Sequence, residues 1–142
     1  MSLSEDLYKD IIIEYSQEPK HFGKPEEAHI HEEGVNRSCG DEVTLHLQVE
    51  DGLIKKVGFT GQGCSISTAS TEMLATAIEG KSPDQARDLI HRFKSMITED
   101  IDPDFQGDLE DLEALRGVTQ YPIRVKCATL SWNTLEHALS QV

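Results

Sequence analysis

The pattern of apolar and polar positions divides the chain into a strand-rich first half and a helical second half. Apolar and polar residues alternate without a break over residues 43–49, which predicts a half-buried strand. Asp51-Gly52 follows and is typical of a tight hairpin turn, because glycine accepts a positive φ. Residues 53–59 then supply the return strand, and residues 28–35 predict a further, more polar strand. The first half should therefore hold an antiparallel sheet with one buried side.

Helical spacing of apolar residues takes over elsewhere. A first helix is predicted after Ser4 and before Pro19, with its apolar face formed by Leu7, Tyr8, Ile11, Ile12 and Tyr15. A second helix should end at Gly80, and its apolar face is formed by Ile66, Ala69, Met73, Ala77 and Ile78.

Three more helices are predicted in the second half. Ser82-Pro83-Asp84-Gln85 indicates a helix start, because serine can cap, proline suits the first position and glutamine completes a capping box. A short helix over residues 108–116 and a long one over residues 122–141 complete the chain. Strands first and helices afterwards favour an α+β fold, in which helices pack on one face of a three-stranded antiparallel sheet.

The length and net charge of the chain limit its domain organisation and its classes of partner. The 142 residues suit a single domain over residues 1–142, and the formal net charge of −13 disfavours nucleic acids and anionic membranes as partners. The first residues are acidic and lead into no long apolar stretch, so we expect no signal peptide, no membrane span and a cytoplasmic location. In a reducing cytosol the three cysteines should be free thiols.

Each cysteine lies where the chain changes from one element to another. Cys39 is in a polar turn between two predicted strands, Cys64 opens a helix, and Cys127 is near the start of the last helix. Helix N-termini and nearby cations favour the thiolate, so a metal or nucleophile cluster is one interpretation. Buried, inert thiols are the other, above all for Cys127, which shares a helical stripe with Ile123, Leu130, Thr134 and Ala138.

A zinc site needs four ligands, and three thiolates leave one place to fill. Asp41 lies two residues after Cys39 in the same turn and could converge on the same ion. Such a centre is formally near −2, which Arg124 and Lys126 would offset if they point inward. A carboxylate is a harder ligand than a thiolate and is more easily displaced, so the site would be closer to one that opens than to a closed structural site.

Other constellations carry less chemistry. His29 and His31 could present two imidazoles on one strand face, although an exposed strand explains them better. The glycines of Gly61-Gln62-Gly63 do not complete a dinucleotide motif and better suit a close approach to a metal. The acidic segment 99–113 does not match the pattern of a calcium-binding loop and is predicted to be solvated surface.

Three motifs occur in order along the chain, namely Ser38-Cys39-Gly40-Asp41, Gly61-Gln62-Gly63-Cys64-Ser65-Ile66-Ser67 and Lys126-Cys127-Ala128-Thr129-Leu130. Together they resemble the IscU/NifU-N family of iron–sulfur cluster assembly proteins over nearly the whole chain. IscU-type scaffolds carry a histidine directly before the third cysteine, where this chain has Lys126. That departure, and an extra stretch over roughly residues 95–118, is similar to the SufU branch of the family.

The resemblance to SufU implies a zinc held by Cys39, Asp41, Cys64 and Cys127, and a SufS-type cysteine desulfurase as partner. It further implies a zinc-dependent sulfurtransferase in which Cys39, in its mobile turn, accepts persulfide sulfur as the catalytic residue, with Arg124 as a neighbouring cation. The sulfur would be passed on, with a downstream cluster-assembly scaffold as a further partner. The alternative is a scaffold on which a [2Fe–2S] cluster is built, with iron in place of zinc.

Overall fold

One layer of the protein is a three-stranded antiparallel sheet with the strand order β1-β2-β3. Its strands are β1 (Ile30–Asn36), β2 (Asp41–Glu50) and β3 (Leu53–Gln62). They are seen in a computed structural model that describes the backbone of residues 3–142 and the side chains of residues 10–107 and 109–142. Asp51 and Gly52 both have positive φ, of 55° and 76°, so the predicted Asp-Gly hairpin turn between β2 and β3 is confirmed.

Helices form the second layer, as the α+β pattern predicted. They are α1 (Leu3–Gln17), α2 (Ser65–Ile78), α3 (Pro83–Glu99) and α4 (Pro122–Leu139), with a 3₁₀ segment over Gly107–Gln120 between the last two. The Ser82–Gln85 capping box is formed in both directions, with proline in the first turn of α3. Among the residues described, no helix is both long enough and apolar enough to cross a bilayer.

Several predicted boundaries needed correction. Strand β2 is longer than residues 43–49 and begins at Asp41, which was expected in the turn, and α2 and α4 end two residues earlier than predicted. The first strand begins and ends later than residues 28–35, and β3 continues past residue 59 to Gln62. The short helix expected over residues 108–116 is a longer 3₁₀ segment, a tighter winding that proteins use in connections. In α1, Ile11, Ile12 and Tyr15 pack against the core as expected, whereas the side chains of Leu7 and Tyr8 lie outside the described residues.

The core lies between the helices and one face of the sheet. That face presents the buried residues Val43, Leu45, Leu47, Val57 and Phe59. Trp132 of α4 is fully buried and stacks on Phe93 of α3 with ring centroids 4.0 Å apart. Its indole N–H donates to Ser70 Oγ of α2 at 2.9 Å, and Ser70 donates to the Ala128 carbonyl at 2.6 Å. These contacts fix α2 against α4.

The loop between α1 and β1 is held to α2 by a histidine–glutamate contact. The His21 backbone N–H donates to Glu72 Oε1 at 2.9 Å, and His21 Nδ1 lies 2.6 Å from Glu72 Oε2. Glu72 is only 3% exposed, and Glu79 lies 3.5 Å from the other ring nitrogen. The hydrogen bond to Glu72 raises the pKa of His21, and its attraction outweighs the opposing effect of burial.

This contact predicts a pH-dependent contribution to stability. Because the pKa of His21 is raised in the folded state, the stabilisation is complete below the unfolded value of 6.5 and is lost as pH rises through the folded pKa. We expect His21→Gln to lower the free energy of unfolding more at about pH 6 than at about pH 9. Urea denaturation of both proteins at the two pH values measures this, with His91→Gln as the matched exposed control. Equal losses at both pH values would contradict it.

Candidate metal centre

Three cysteines and one aspartate from separate parts of the chain meet at one end of the sheet. Cys39 lies in the turn between β1 and β2, where Gly40 has a φ of 72° that favours glycine, and Asp41 is the first residue of β2. Cys64 is the N-cap of α2, and Cys127 lies in the second turn of α4. We call Cys39, Asp41, Cys64 and Cys127 the Cys–Asp cluster.

The distances within the Cys–Asp cluster suit a single small ion. One ligand atom each from Cys39, Asp41 and Cys127 lie within 4.8 Å of one another, and the two sulfurs are 3.0 Å apart. Cys64 Sγ lies 4.0 Å from Asp41 Oδ2. All three cysteines are free thiols. Three of the four residues singled out from the sequence, Cys39, Asp41 and Cys127, therefore form one group of donors, and Cys64 lies beside Asp41 but outside that group.

Asp41 is the buried carboxylate of the cluster. It is 0% exposed, and its Oδ1 accepts the Cys64 backbone N–H at 2.9 Å, which leaves Oδ2 on the side of the sulfurs. A Cβ on Gly63 would lie 3.0 Å from Asp41 Oδ1, so glycine permits this close approach. The second glycine of the Gly61-Gln62-Gly63 motif thus packs against a residue of the cluster.

The cysteines differ in environment. Cys64 Sγ accepts the Ser67 N–H at 3.4 Å as a helix cap, where the helix dipole favours negative charge on sulfur. Cys127 is 0% exposed, as the buried alternative predicted, but it is packed against other donor atoms. Burial raises the pKa of Cys127, and its contacts with Cys39, Asp41 and Cys64 raise it further. Cys39 is half-buried and in a turn, so its sulfur is the more accessible of these two.

Asn36 is a neighbour of the cluster that reasoning from the sequence missed. Its Oδ1 accepts the Ser38 N–H at 3.2 Å, and its amide nitrogen lies 3.9 Å from Cys127 Sγ as a donor. The available signal was an asparagine two residues before a serine in a turn, which is typical of a side chain that bonds to the backbone.

The two predicted cations are placed differently. Arg124 is exposed and, with Cys64, Gly117 and Tyr121, lines a surface cavity of about 670 Å³ beside the cluster. An adjoining cavity of about 550 Å³ is lined by Cys39, Cys64 and Arg124. Lys126 is exposed on α4. Of the two, Arg124 therefore has the position from which to attract an anion to the cluster.

The donor set fits a metal centre. Three thiols and one carboxylate are the number and kind of donors that zinc takes in four-coordinate sites. Cysteine thiolates also hold iron–sulfur clusters, so the donors alone suit zinc and iron alike. The buried Asp41 carboxylate favours a cation at this place, because a cation would compensate negative charge that is removed from water.

Comparison with known proteins agrees with the fold. The family model for the NifU-like N terminal domain matches residues 7–141. An iron–sulfur cluster assembly scaffold protein IscU from Thermotoga maritima is 39% identical, over 96% of this chain and 94% of that protein. The zinc-dependent sulfurtransferase SufU from Bacillus subtilis is 34% identical, over 96% of this chain and 92% of that protein.

A solved structure is similar at the level of the whole fold. The crystal structure of FiSufU from Fervidobacterium islandicum AW-1, described as an assembly scaffold protein for the SUF system, has a TM-score of 0.86 and 40% identity, over 96% of this chain and 98% of that one. Both the sequence and the fold therefore place this chain in the NifU-like N-terminal domain family of IscU- and SufU-like iron–sulfur cluster assembly proteins.

Proposed function

We propose that the protein is a zinc-dependent sulfurtransferase, which accepts persulfide sulfur from a SufS-type cysteine desulfurase and passes it on for iron–sulfur cluster assembly. The observation that carries this proposal is the half-buried Cys39 thiol, held in a turn against buried donor atoms and beside an open cavity. The proposed unit is the single domain over residues 1–142, acting in the cytoplasm, where thiols stay reduced.

Cys39, Asp41, Cys64 and Cys127 are the proposed zinc ligands. Bound zinc would keep the thiols deprotonated at neutral pH. A different feature of the fold holds each of three ligands in place. Asp41 accepts the Cys64 N–H, Cys64 caps the N-terminus of α2, and Cys127 is completely buried on α4. Cys39 is in the turn and is held by the fewest of these constraints.

The proposed transfer is a thiol–persulfide exchange at Cys39. The Cys39 thiolate attacks the outer sulfur of the desulfurase persulfide, and a new sulfur–sulfur bond forms at Cys39 Sγ as the bond within the donor breaks. The desulfurase cysteine leaves as a thiolate, and the transferred sulfur keeps its proton, so no oxidant or reductant is needed. Exposed Arg124 lines the cavity next to Cys39 and would stabilise the thiolate that leaves.

The alternative function is a scaffold for a [2Fe–2S] cluster. It is favoured by the suitability of the thiolates for iron and by the scaffold names of similar proteins. Against it, the residue before Cys127 is Lys126, which offers an exposed ammonium and no imidazole as a ligand. On the sulfurtransferase proposal, a separate scaffold downstream receives the sulfur.

A desulfurase assay paired with metal analysis tests the function. We expect the protein, purified without chelator, to carry about one zinc per chain, because three donors converge on one site and Cys64 lies beside them. Adding it to a cysteine desulfurase should raise the rate of alanine release several-fold, and the metal-free protein should not. A protein that is folded, metal-free and fully stimulating would contradict the proposal. A stable, transferable visible chromophore after anaerobic reconstitution with iron and sulfide would favour the scaffold.

A further inference from the structure

Two histidines face each other across β1 and β2, on the side of the sheet opposite the helices. His31 and His46 are directly paired in the antiparallel register, and their Nδ1 atoms are 2.7 Å apart. His46 Nε2 lies 2.9 Å from Thr60 Oγ1 on the next strand. We propose that this pair is a second metal site, which takes a divalent first-row ion that prefers imidazole, such as Ni²⁺ or Cu²⁺.

The geometry of the pair carries this proposal. Two ring nitrogens at 2.7 Å leave room between them for one proton, which one ring donates to the other. A metal ion takes imidazole nitrogens at about 2.0–2.1 Å, which at coordination angles near 90–109° separates two of them by roughly 2.9–3.4 Å. A ring movement of less than about 1 Å therefore exchanges the shared proton for a metal ion.

The surroundings of His46 hold it in the form that binds metal. Thr60 can accept the Nε2 proton, which leaves the Nδ1 lone pair free and fixes the ring, as hydrogen-bond partners of metal-bound histidines do. Burial and the neighbouring His31 lower the pKa of His46, so that its ring is neutral near pH 7. His46 is 6% exposed and His31 is exposed, so water can complete the coordination from one side only.

The charged residues around the histidine pair do not all favour the binding of a cation. Lys24, in the loop before β1, also lowers the pKa of His46, and its positive charge opposes a cation. On the same face, the side chain of Gln48, two residues after His46 on β2, donates to Glu27 Oε2 and to Glu50 Oε2. His29 lies one residue before β1 and is exposed.

The histidine pair is separate from the Cys–Asp cluster in place and in chemistry. His46 is five residues along β2 from Asp41, which at about 3.4 Å per residue is roughly 17 Å. Thiolates select zinc, whereas imidazoles also suit nickel and copper. A protein whose cluster is already loaded with zinc is therefore expected to take a further ion at the histidines.

Nickel titration of the zinc-loaded, untagged protein tests the site. Ni²⁺ should bind at one equivalent per chain and broaden the His31 and His46 ring signals in NMR spectra, with those of His91 unaffected. His31→Gln removes one of the two ligands and should weaken nickel binding by at least about tenfold, and Thr60→Val by about tenfold through the hydrogen bond to His46. His91→Gln is the matched control for loss of an exposed histidine.

Zinc content measured in every variant shows whether the Cys–Asp cluster is intact. Unchanged zinc with weakened nickel binding in His31→Gln supports the site, whatever the outcome for sulfur transfer. Equal nickel affinity in His31→Gln and in the unmodified protein would overturn it, as would the absence of nickel binding or equal broadening of His91. In those cases the pair holds a proton only.

Discussion

Cys39→Ser is expected to abolish persulfide acceptance while leaving the fold intact. Cys39 is half-buried in the β1–β2 turn, and the core residues lie in the sheet and helices, so the exchange of sulfur for oxygen disturbs no packing there. A serine hydroxyl is not appreciably ionised at neutral pH and does not attack a persulfide. We expect sulfur transfer to the chain to fall by at least about a hundredfold, to the background level of the assay.

Mass spectrometry after incubation with the desulfurase and cysteine measures this result. The unmodified protein should gain the mass of one sulfur atom on the peptide that contains Cys39, and Cys39→Ser should gain none. Ser38→Ala, an exposed change in the same turn, is the matched control and should accept sulfur normally. Sulfur mapped to Cys64 or Cys127 in the unmodified protein would assign the acceptor role to that residue instead.

Most of the fold could be predicted from local sequence patterns. Alternation over residues 43–49, the Asp51-Gly52 turn and the capping box at Ser82 each depend on neighbouring residues, and all three are present in the structure. The 3₁₀ winding of Gly107–Gln120 could not be predicted from the local sequence pattern. Its buried residues Leu112, Leu115 and Val118 are spaced by three, which satisfies either kind of helix.

The site shows a sharper division. The position of each cysteine between two elements could be predicted from the sequence, because helix and strand patterns flank all three. The complete burial of Asp41 and its hydrogen bond from the Cys64 N–H could not be predicted, since a carboxylate in a polar turn is usually exposed. The His31–His46 pair was hidden for a related reason: its two residues are 15 apart, and only the register set by the turn between β1 and β2 makes them neighbours.

Asp41→Asn is expected to lower zinc affinity by about a hundredfold or more while keeping the structure around it. Asparagine has the same shape, and its oxygen can still accept the Cys64 N–H, but its neutral amide is a poor zinc ligand and brings no negative charge. Removal of a fully buried carboxylate should also stabilise the metal-free protein, because no cationic side chain among the described residues forms an ion pair with it. Zinc should accordingly raise the melting temperature of the variant much less than that of the unmodified protein.

Competition with a chromophoric chelator and melting curves with and without zinc measure both effects of Asp41→Asn. Glu42→Gln, the exposed neighbour on β2, is the matched control and should change neither. Asp41→Ala separates the two roles of the carboxylate, since it leaves the Cys64 N–H without its acceptor and should cost the metal-free protein about 1–3 kcal/mol relative to Asp41→Asn. Unchanged zinc affinity in Asp41→Asn would show that the carboxylate is not a ligand, and the fourth donor would then have to come from another residue or from water, because the three thiols alone leave a tetrahedral ion incomplete.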